Sequence, residues 1–344
     1  MRETVCAALA GILLCTALPT FAALRSRPEP VIAKPVQSTE IIALESQKEA
    51  TNMQTSTVTT SGFDESFNLP VLLENGIDSM TLHDYLVGAL AGEMPLSFDM
   101  EALKAQAIAC RTYALRQYAT RKHDPAAVCT VSSCCECWKT TDTVSSENRQ
   151  KAEQAVSETD GLVLTYDGAL IEATFFSCSG GQTEAAVDVW GSELPYLQSV
   201  RSSGEETAPR FAGEVSVTFA QFQEKLQAED SAFSMPDDLS AENFSLTHTQ
   251  GGGVKTVQVG GVAFTGKTFR KLFGLNSTNF EIAVNDQSVI FTTVGYGHRV
   301  GMSQYGAQAM AANGASCEEI LLHYYTGVTL TDCAAFYPQM PTQK

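Results

Sequence analysis

Residues 5–24 of this 344-residue chain form an almost unbroken apolar run, VCAALAGILLCTALPTFAAL, which limits how much of the chain is available to fold. A run of this length either spans a bilayer or is removed as a secretory signal, with small residues near a cut at Thr20-Phe21-Ala22. Arg2 precedes it, and Arg25 and Arg27 follow. Either outcome places the rest outside the cytoplasm. The expectation is a single-pass N-terminal anchor in the cell membrane, or secretion if the leader is cut. From Pro28 to about Ser61 the chain is rich in Pro, Ser, Thr, Gln and Glu without sustained periodicity, the composition of a tether. This divides the chain into a leader (1–24), a disordered linker (25–67), a folded body (68–333) and a short tail (334–344).

The body must supply the core, and 44% hydrophobic content suffices for one large domain or two smaller ones. A net charge of -17 argues against a nucleic-acid partner, because nothing would neutralise phosphates over an extended surface. No internal repeat is visible.

The body opens with TLHDYLVGALAGEMP, Thr81 to Pro95. Thr81 and Asp84 have capping-box spacing, and Leu82, Leu86, Ala89 and Glu93 fall on one helical face. Pro95 ends the helix and holds Met94 extended, which leaves a carboxylate at a helix C-terminus on a buried stripe. Burial and the negative end of the helix dipole both disfavour its charged form, so a raised pKa, as a general acid needs, is expected. A glutamate paired with Lys104 or Arg111, or left exposed, fits the same pattern. A second helix, capped by Ser97 or Asp99, runs from Met100 to about Tyr118. Leu103, Ala107, Cys110 and Ala114 form its buried stripe, and Lys104 and Arg111 share a neighbouring one. The expected class is therefore α/β or α+β, with helices flanking a cleft walled by strands and glycine-rich loops.

Two further motifs carry chemistry. GGVAFTGKTFRKL places Gly261, Gly266, Lys267 and Thr268 at phosphate-loop spacing, but the preceding VKTVQVGG alternates like an antiparallel strand, so a hairpin is favoured and no nucleotide is expected. Of ten cysteines, Cys6 and Cys15 fall in the leader, while Cys129, Cys134, Cys135 and Cys137 crowd into HDPAAVCTVSSCCECW with His123. Thiolates and an imidazole are the donors zinc prefers, though the spacing matches no common finger; disulfides are the alternative. Cys110 and Cys178 read as core residues.

Three blocks in fixed order, GEMPLSFDMEALKAQAIACRTYA, ATFFSCSGGQTEAAVDVWGSELPYLQSV and GYGHRVGMSQYGAQAMAANG, resemble the stage II sporulation protein D family, which also includes amidase-enhancer proteins. The resemblance spans about Leu69 to Leu330. It implies a membrane-anchored lytic transglycosylase that cleaves peptidoglycan glycan strands during engulfment, with Glu93, of the Glu-Met-Pro motif, as catalytic acid. A single carboxylate suits that chemistry, and no second one is nominated within the matching blocks. The same resemblance makes Lys104 and Arg111 cleft-lining groups and gives some members a structural zinc on one His and two Cys. His123, Cys129 and Cys135 match best here, with Cys134 as alternate, and catalysis needs no cofactor. Ser177 and Ser179, turning out of the strand LIEATFF, and His298, Ser303 and Gln304 in the third block are substrate-binding candidates or fix the cleft floor. Structural roles fit Ser179 and His298 equally well. Implied partners are glycan strands stripped of stem peptides, a peptidoglycan amidase and a membrane scaffold protein. The alternative is a non-catalytic wall-binding activator of an amidase.

Overall fold

A computed structural model describes residues 62–333. The leader, residues 25–61 of the linker and the 334–344 tail lie outside the described residues. The folded body begins earlier than Asn68: Phe63–Ser66 forms a one-turn helix (α1), with Asp64 buried and Phe67 in the core.

A hairpin follows, β1 (Asn68–Leu73) and β2 (Gly76–Thr81), and runs directly into helix α2 (Leu82–Glu93). Thr81 caps α2 by accepting the Asp84 N–H, but the reciprocal half of the capping box is absent. Helix α3 (Met100–Thr120) starts after Asp99, whose carboxylate accepts from Gln308 instead of capping its own helix. The expected stripe Leu103, Ala107, Cys110 and Ala114 is fully buried, and so is most of the rest of α3. This helix is the axis of the main core. Its many alanines let α2, α4 (Ser146–Ser157) and strand β4 (Leu162–Tyr166) pack close around it, with short strand β3 (Val128–Cys129) joining β1 in parallel.

After β4, strand β5 (Ala169–Leu170) closes a tight turn, and the LIEATFF stretch pairs only at its ends, Leu170 and Phe175–Phe176 (β6). Short helix α5 (Ala186–Trp190) precedes a second, phenylalanine-rich core. That core is built by β7 (Ala212–Thr218), α6 (Phe219–Glu229), β8 (Ser245–His248), β9 (Val254–Val259), β10 (Val262–Thr265), α7 (Gly266–Phe273), β11 (Phe280–Val284) and β12 (Ser288–Val294). The β9–β10 turn puts Gly260 at φ 56° and Gly261 at φ 80°, so the phosphate-loop spacing belongs to an antiparallel hairpin leading into α7. The chain then returns to the main core through β13 (Met302–Ser303), which pairs in parallel with β6, and through α8 (Gln304–Ala312), α9 (Cys317–Tyr324) and β14 (Thr329–Asp332). Ser316 and Glu319 form a capping box on α9.

The class is thus mixed α and β, on separate sheets of two or three strands each. The expected membrane anchor is corrected: no described helix is long and apolar enough to cross a membrane, and the apolar run 5–24 lies outside the described residues.

Candidate active site

Helix α2 delivers Glu93 to a groove. The helix stops there because Pro95 cannot continue it, and Met94 leaves helical geometry at φ -124°, ψ 140°. Gly88 and Gly92 on α2 decide what lies opposite. A Cβ on Gly92 would sit 2.0 Å from the Cys137 carbonyl oxygen, and one on Gly88 would sit 2.2 Å from the Trp138 ring. Only glycine admits the 137–138 segment against the helix, which lets the Cys137 N–H donate to Glu93 Oε1. Across the groove, Gln304 Nε2 donates to the Glu93 carbonyl oxygen at 3.1 Å. Burial pushes the Glu93 carboxyl above the ordinary range, against smaller opposing pulls from the Cys137 N–H, Gln304 and the charge of Lys139.

Glu93 lines two cavities. One, of about 470 Å³, is bounded by Tyr113, Glu136, Ser177, His298 and Gln304. The other, of about 530 Å³, is bounded by Lys139, Thr143, Ser145 and Asn148. Each falls in the range of small-ligand sites, about 300–1,000 Å³.

Ser177, His298 and Gln304 meet Glu93 in the first cavity. His298 Nδ1 accepts the Val300 N–H at 3.1 Å, so the neutral ring carries its proton on Nε2. Burial, aided by the charge of Arg270, pushes its pKa down to about 4, so it is neutral at physiological pH. Arg299 next to it stands at φ 66°, a position that favours glycine. Its guanidinium is buried on Ser179 O, Gln182 O, Gly251 O and Glu184 Oε1 and ties the loop to the second core.

The other expected contacts are corrected. Arg111 is fully buried, and its Nε and Nη2 grip Asp64 at 2.9 and 2.6 Å while Nη1 and Nη2 donate to Leu162 O and Val156 O. α3 is covered on the Arg111 side by α1, α4 and β4, so the guanidinium cannot reach a ligand; burial pushes Asp64 up despite its pairing. Lys104 bridges Glu101 and Glu158 and lines neither cavity beside Glu93. Ser179 and Ser303 are fully buried: their hydroxyls donate to Glu205, and the Ser303 hydroxyl also caps α8 by accepting from Gly306 N.

Two carboxylates escaped the sequence reading. Glu205 takes the Ser179 and Gly180 N–H groups and the hydroxyls of Ser179, Ser202 and Ser303, which locks the second block to the third. Glu136 lies in the wall of the first cavity, 2% exposed, accepting from Tyr85 Oη at 2.8 Å on Oε2, while Oε1 has no hydrogen-bond partner within bonding distance among the described residues. Burial pushes its carboxyl up to about 8. The lack of a second carboxylate therefore no longer weighs against hydrolysis. The run of cysteines in SCCECW drew attention to metal ligands and away from the glutamate among them.

The ligand atoms of His123, Cys129, Cys134 and Cys135 all lie within 4.8 Å of one another, with His123 Nε2 3.3 Å from Cys135 Sγ and 3.5 Å from Cys134 Sγ. The best match and its alternate therefore converge on one point. Three sulfurs and an imidazole form a donor set that fits tetrahedral zinc.

Residues 74–166 match the family model described as Stage II sporulation protein. Stage II sporulation protein D of Bacillus subtilis (strain 168) is 35% identical over 278 residues, covering 78% of this chain and 79% of the relative. The chain belongs to the stage II sporulation protein D family. The Bacillus amyloliquefaciens member is 34% identical over 281 residues, 78% of this chain and 80% of the relative. An amidase enhancer of Bacillus subtilis (strain 168) is 28% identical, over 72% of this chain and 40% of its own length. The stage II sporulation protein match contains Glu93, the four converging metal-ligand candidates and Glu136, but stops short of Ser177, His298 and Gln304.

Proposed function

We propose that this sporulation-family protein cleaves peptidoglycan glycan strands as a lytic transglycosylase, with Glu93 moving the proton. The observation that carries this reading is a half-buried carboxyl with a raised pKa on a residue that lines two cavities, leaving room for sugar on either side of it. Glu93 donates its proton to the glycosidic oxygen as the bond to muramic acid C1 breaks and an oxocarbenium-like centre forms. The resulting carboxylate then takes the proton of the muramic 6-hydroxyl as that oxygen bonds to C1, closing the 1,6-anhydro ring and restoring the acid. Gln304 anchors the end of α2, and the Cys137 N–H fixes one carboxyl oxygen so that the other faces the bond. Neutral His298 and the Ser177 hydroxyl lie in the same wall, with the His298 ring also hydrogen-bonded to the Phe175 backbone, so it shapes the sugar site.

His123, Cys129, Cys134 and Cys135 would hold zinc, and four protein ligands leave no open position, so its contribution is a fixed loop. Cys137 lies two residues beyond Cys135, so that loop also sets the donor on Glu93. Elemental analysis of protein purified without chelator should find about one zinc per chain; no metal, with these cysteines in disulfides, overturns the assignment.

Digestion of peptide-free glycan, with mass spectrometry of the new ends, tests the reaction. A second reading, a wall-binding activator of a peptidoglycan amidase, is favoured by the amidase-enhancer relative. It predicts no new glycan ends and a faster partner amidase, unchanged by Glu93→Gln.

A further inference from the structure

The aromatic rings around the first cavity differ in what covers them. Lys122 stands over the Tyr113 ring at 5.7 Å and donates to its hydroxyl, and Arg210 does the same to Tyr296 at 4.9 Å. Phe176, in the same wall, is buried and meets the His298 ring edge-on at 5.7 Å. Trp190 continues this row away from the cavity. Its ring lies 5.4 Å from His298, tilted by 53°, and this is its only ring or cation contact among the described residues. Trp190 is nevertheless 37% exposed, and Val187, one turn earlier on α5, is 48% exposed. The other tryptophan of the chain, Trp138, packs against the main core. The exposed indole is also held in place. Gly191 at φ 71° closes α5 with its N–H on Val187 O, the Ala186 N–H donates to Leu197 O, and Asp188 pairs with Lys255 of β9 at 3.1 Å. That ion pair offsets the acid nearest in sequence to Trp190, which leaves a rigid, uncharged apolar face next to the cavity wall.

We propose that Trp190 is a platform on which a further sugar of the glycan strand stacks, carrying the binding surface beyond the first cavity and favouring long strands over short ones. This rests on the glycan-cleaving reading above. The sugars of such a strand carry their hydroxyl, acetamido and ether groups around the ring edge, which leaves faces made of C–H bonds. Those faces are apolar and weakly positive, the complement of an indole face with its negative quadrupole. A cation already over a ring takes that face, so Tyr113 and Tyr296 are occupied. Trp190 keeps more than a third of its surface open, and it adjoins the cavity through His298.

Binding without turnover tests this, with Trp190 as its own reporter. Glu93→Gln protein is titrated with a peptide-free disaccharide and with longer peptide-free strands of defined length, and indole emission is followed alongside affinity. Long strands should bind more tightly than the disaccharide and shift the emission to the blue as sugar displaces water from Trp190. Adding Trp190→Ala should weaken long-strand binding by about threefold to tenfold, the worth of one ring contact, while the disaccharide changes by less than about twofold. Adding Trp190→Phe should restore most of that affinity without the blue shift, which a merely structural role would not do. A blue shift that survives in Trp190→Phe, long strands bound no better than the disaccharide, or undiminished long-strand binding in Trp190→Ala overturns the proposal. Missing 1,6-anhydro ends in wild-type digests would count against Glu93 as the acid while leaving this contact readable. Failure of every strand to bind would overturn both readings.

Discussion

Glu93, inside the first of the three blocks, and Glu205, between the second and third, are both shielded carboxylates, and their surroundings give them opposite uses. Glu205 is 1% exposed and surrounded by five donors from Ser179, Gly180, Ser202 and Ser303, an arrangement that stabilises a buried charge and leaves nothing to react. Glu93 receives one backbone N–H, from Cys137, with weaker pulls from the Gln304 side chain and the charge of Lys139, and lines two cavities. The difference shows that burial alone does not mark a working acid. A buried carboxylate with its acceptor sites filled is a fastener, and one left short of donors at a cavity is available for proton transfer.

Substitutions should separate the two. Glu93→Gln should lower glycan cleavage by about 10²–10⁴-fold, the usual worth of a general acid, while leaving the melting temperature unchanged or slightly higher. Glu205→Ala should do the reverse: it orphans donors from three segments and should cost about 3–5 kcal/mol in urea unfolding, with cleavage per folded molecule largely retained. Near-wild-type stability in Glu205→Ala would break the comparison. Arg111→Lys keeps the charge but loses the two-pronged grip on Asp64, and should destabilise on the order of 2 kcal/mol without changing KM. A raised KM at full stability would return Arg111 to the cleft. The smallest effect belongs to Lys104→Ala, below about 1 kcal/mol, because its partners Glu101 and Glu158 are partly solvated.

Much of the scaffold around Glu93 was legible because it is local. A threonine cap, a proline stop and an alternating strand before twin glycines act within a few residues, and α2 and the β9–β10 hairpin follow those signals. The cysteine cluster was readable from donor chemistry, although which sulfurs converge depends on the turn at 131–135, and the structure brings in both Cys134 and Cys135. The roles of Arg111, Ser179 and Ser303 were not legible. Their partners lie far along the chain, and a helix buried nearly all round gives no periodic clue to which face meets a ligand. The Gly88 and Gly92 spacing in GALAGE was a usable sign of a close crossing, but it could not say that residues 137–138 would fill it.

The central claim is that Glu93 acts as a proton donor whose pKa is raised by burial. The group is active while protonated, so cleavage should persist as pH rises past the ordinary carboxylate value of about 4.3 and fall only through the raised folded-state value. The most direct measurement is the pH profile of 1,6-anhydro-muramyl end formation from peptide-free glycan, for wild type and Glu93→Gln in parallel. The account predicts anhydro ends, a loss of rate on the alkaline side of a midpoint well above 4.3, and near-complete loss in Glu93→Gln. Reducing ends alone, a profile flat from acid to neutral pH, or full activity in Glu93→Gln would contradict it.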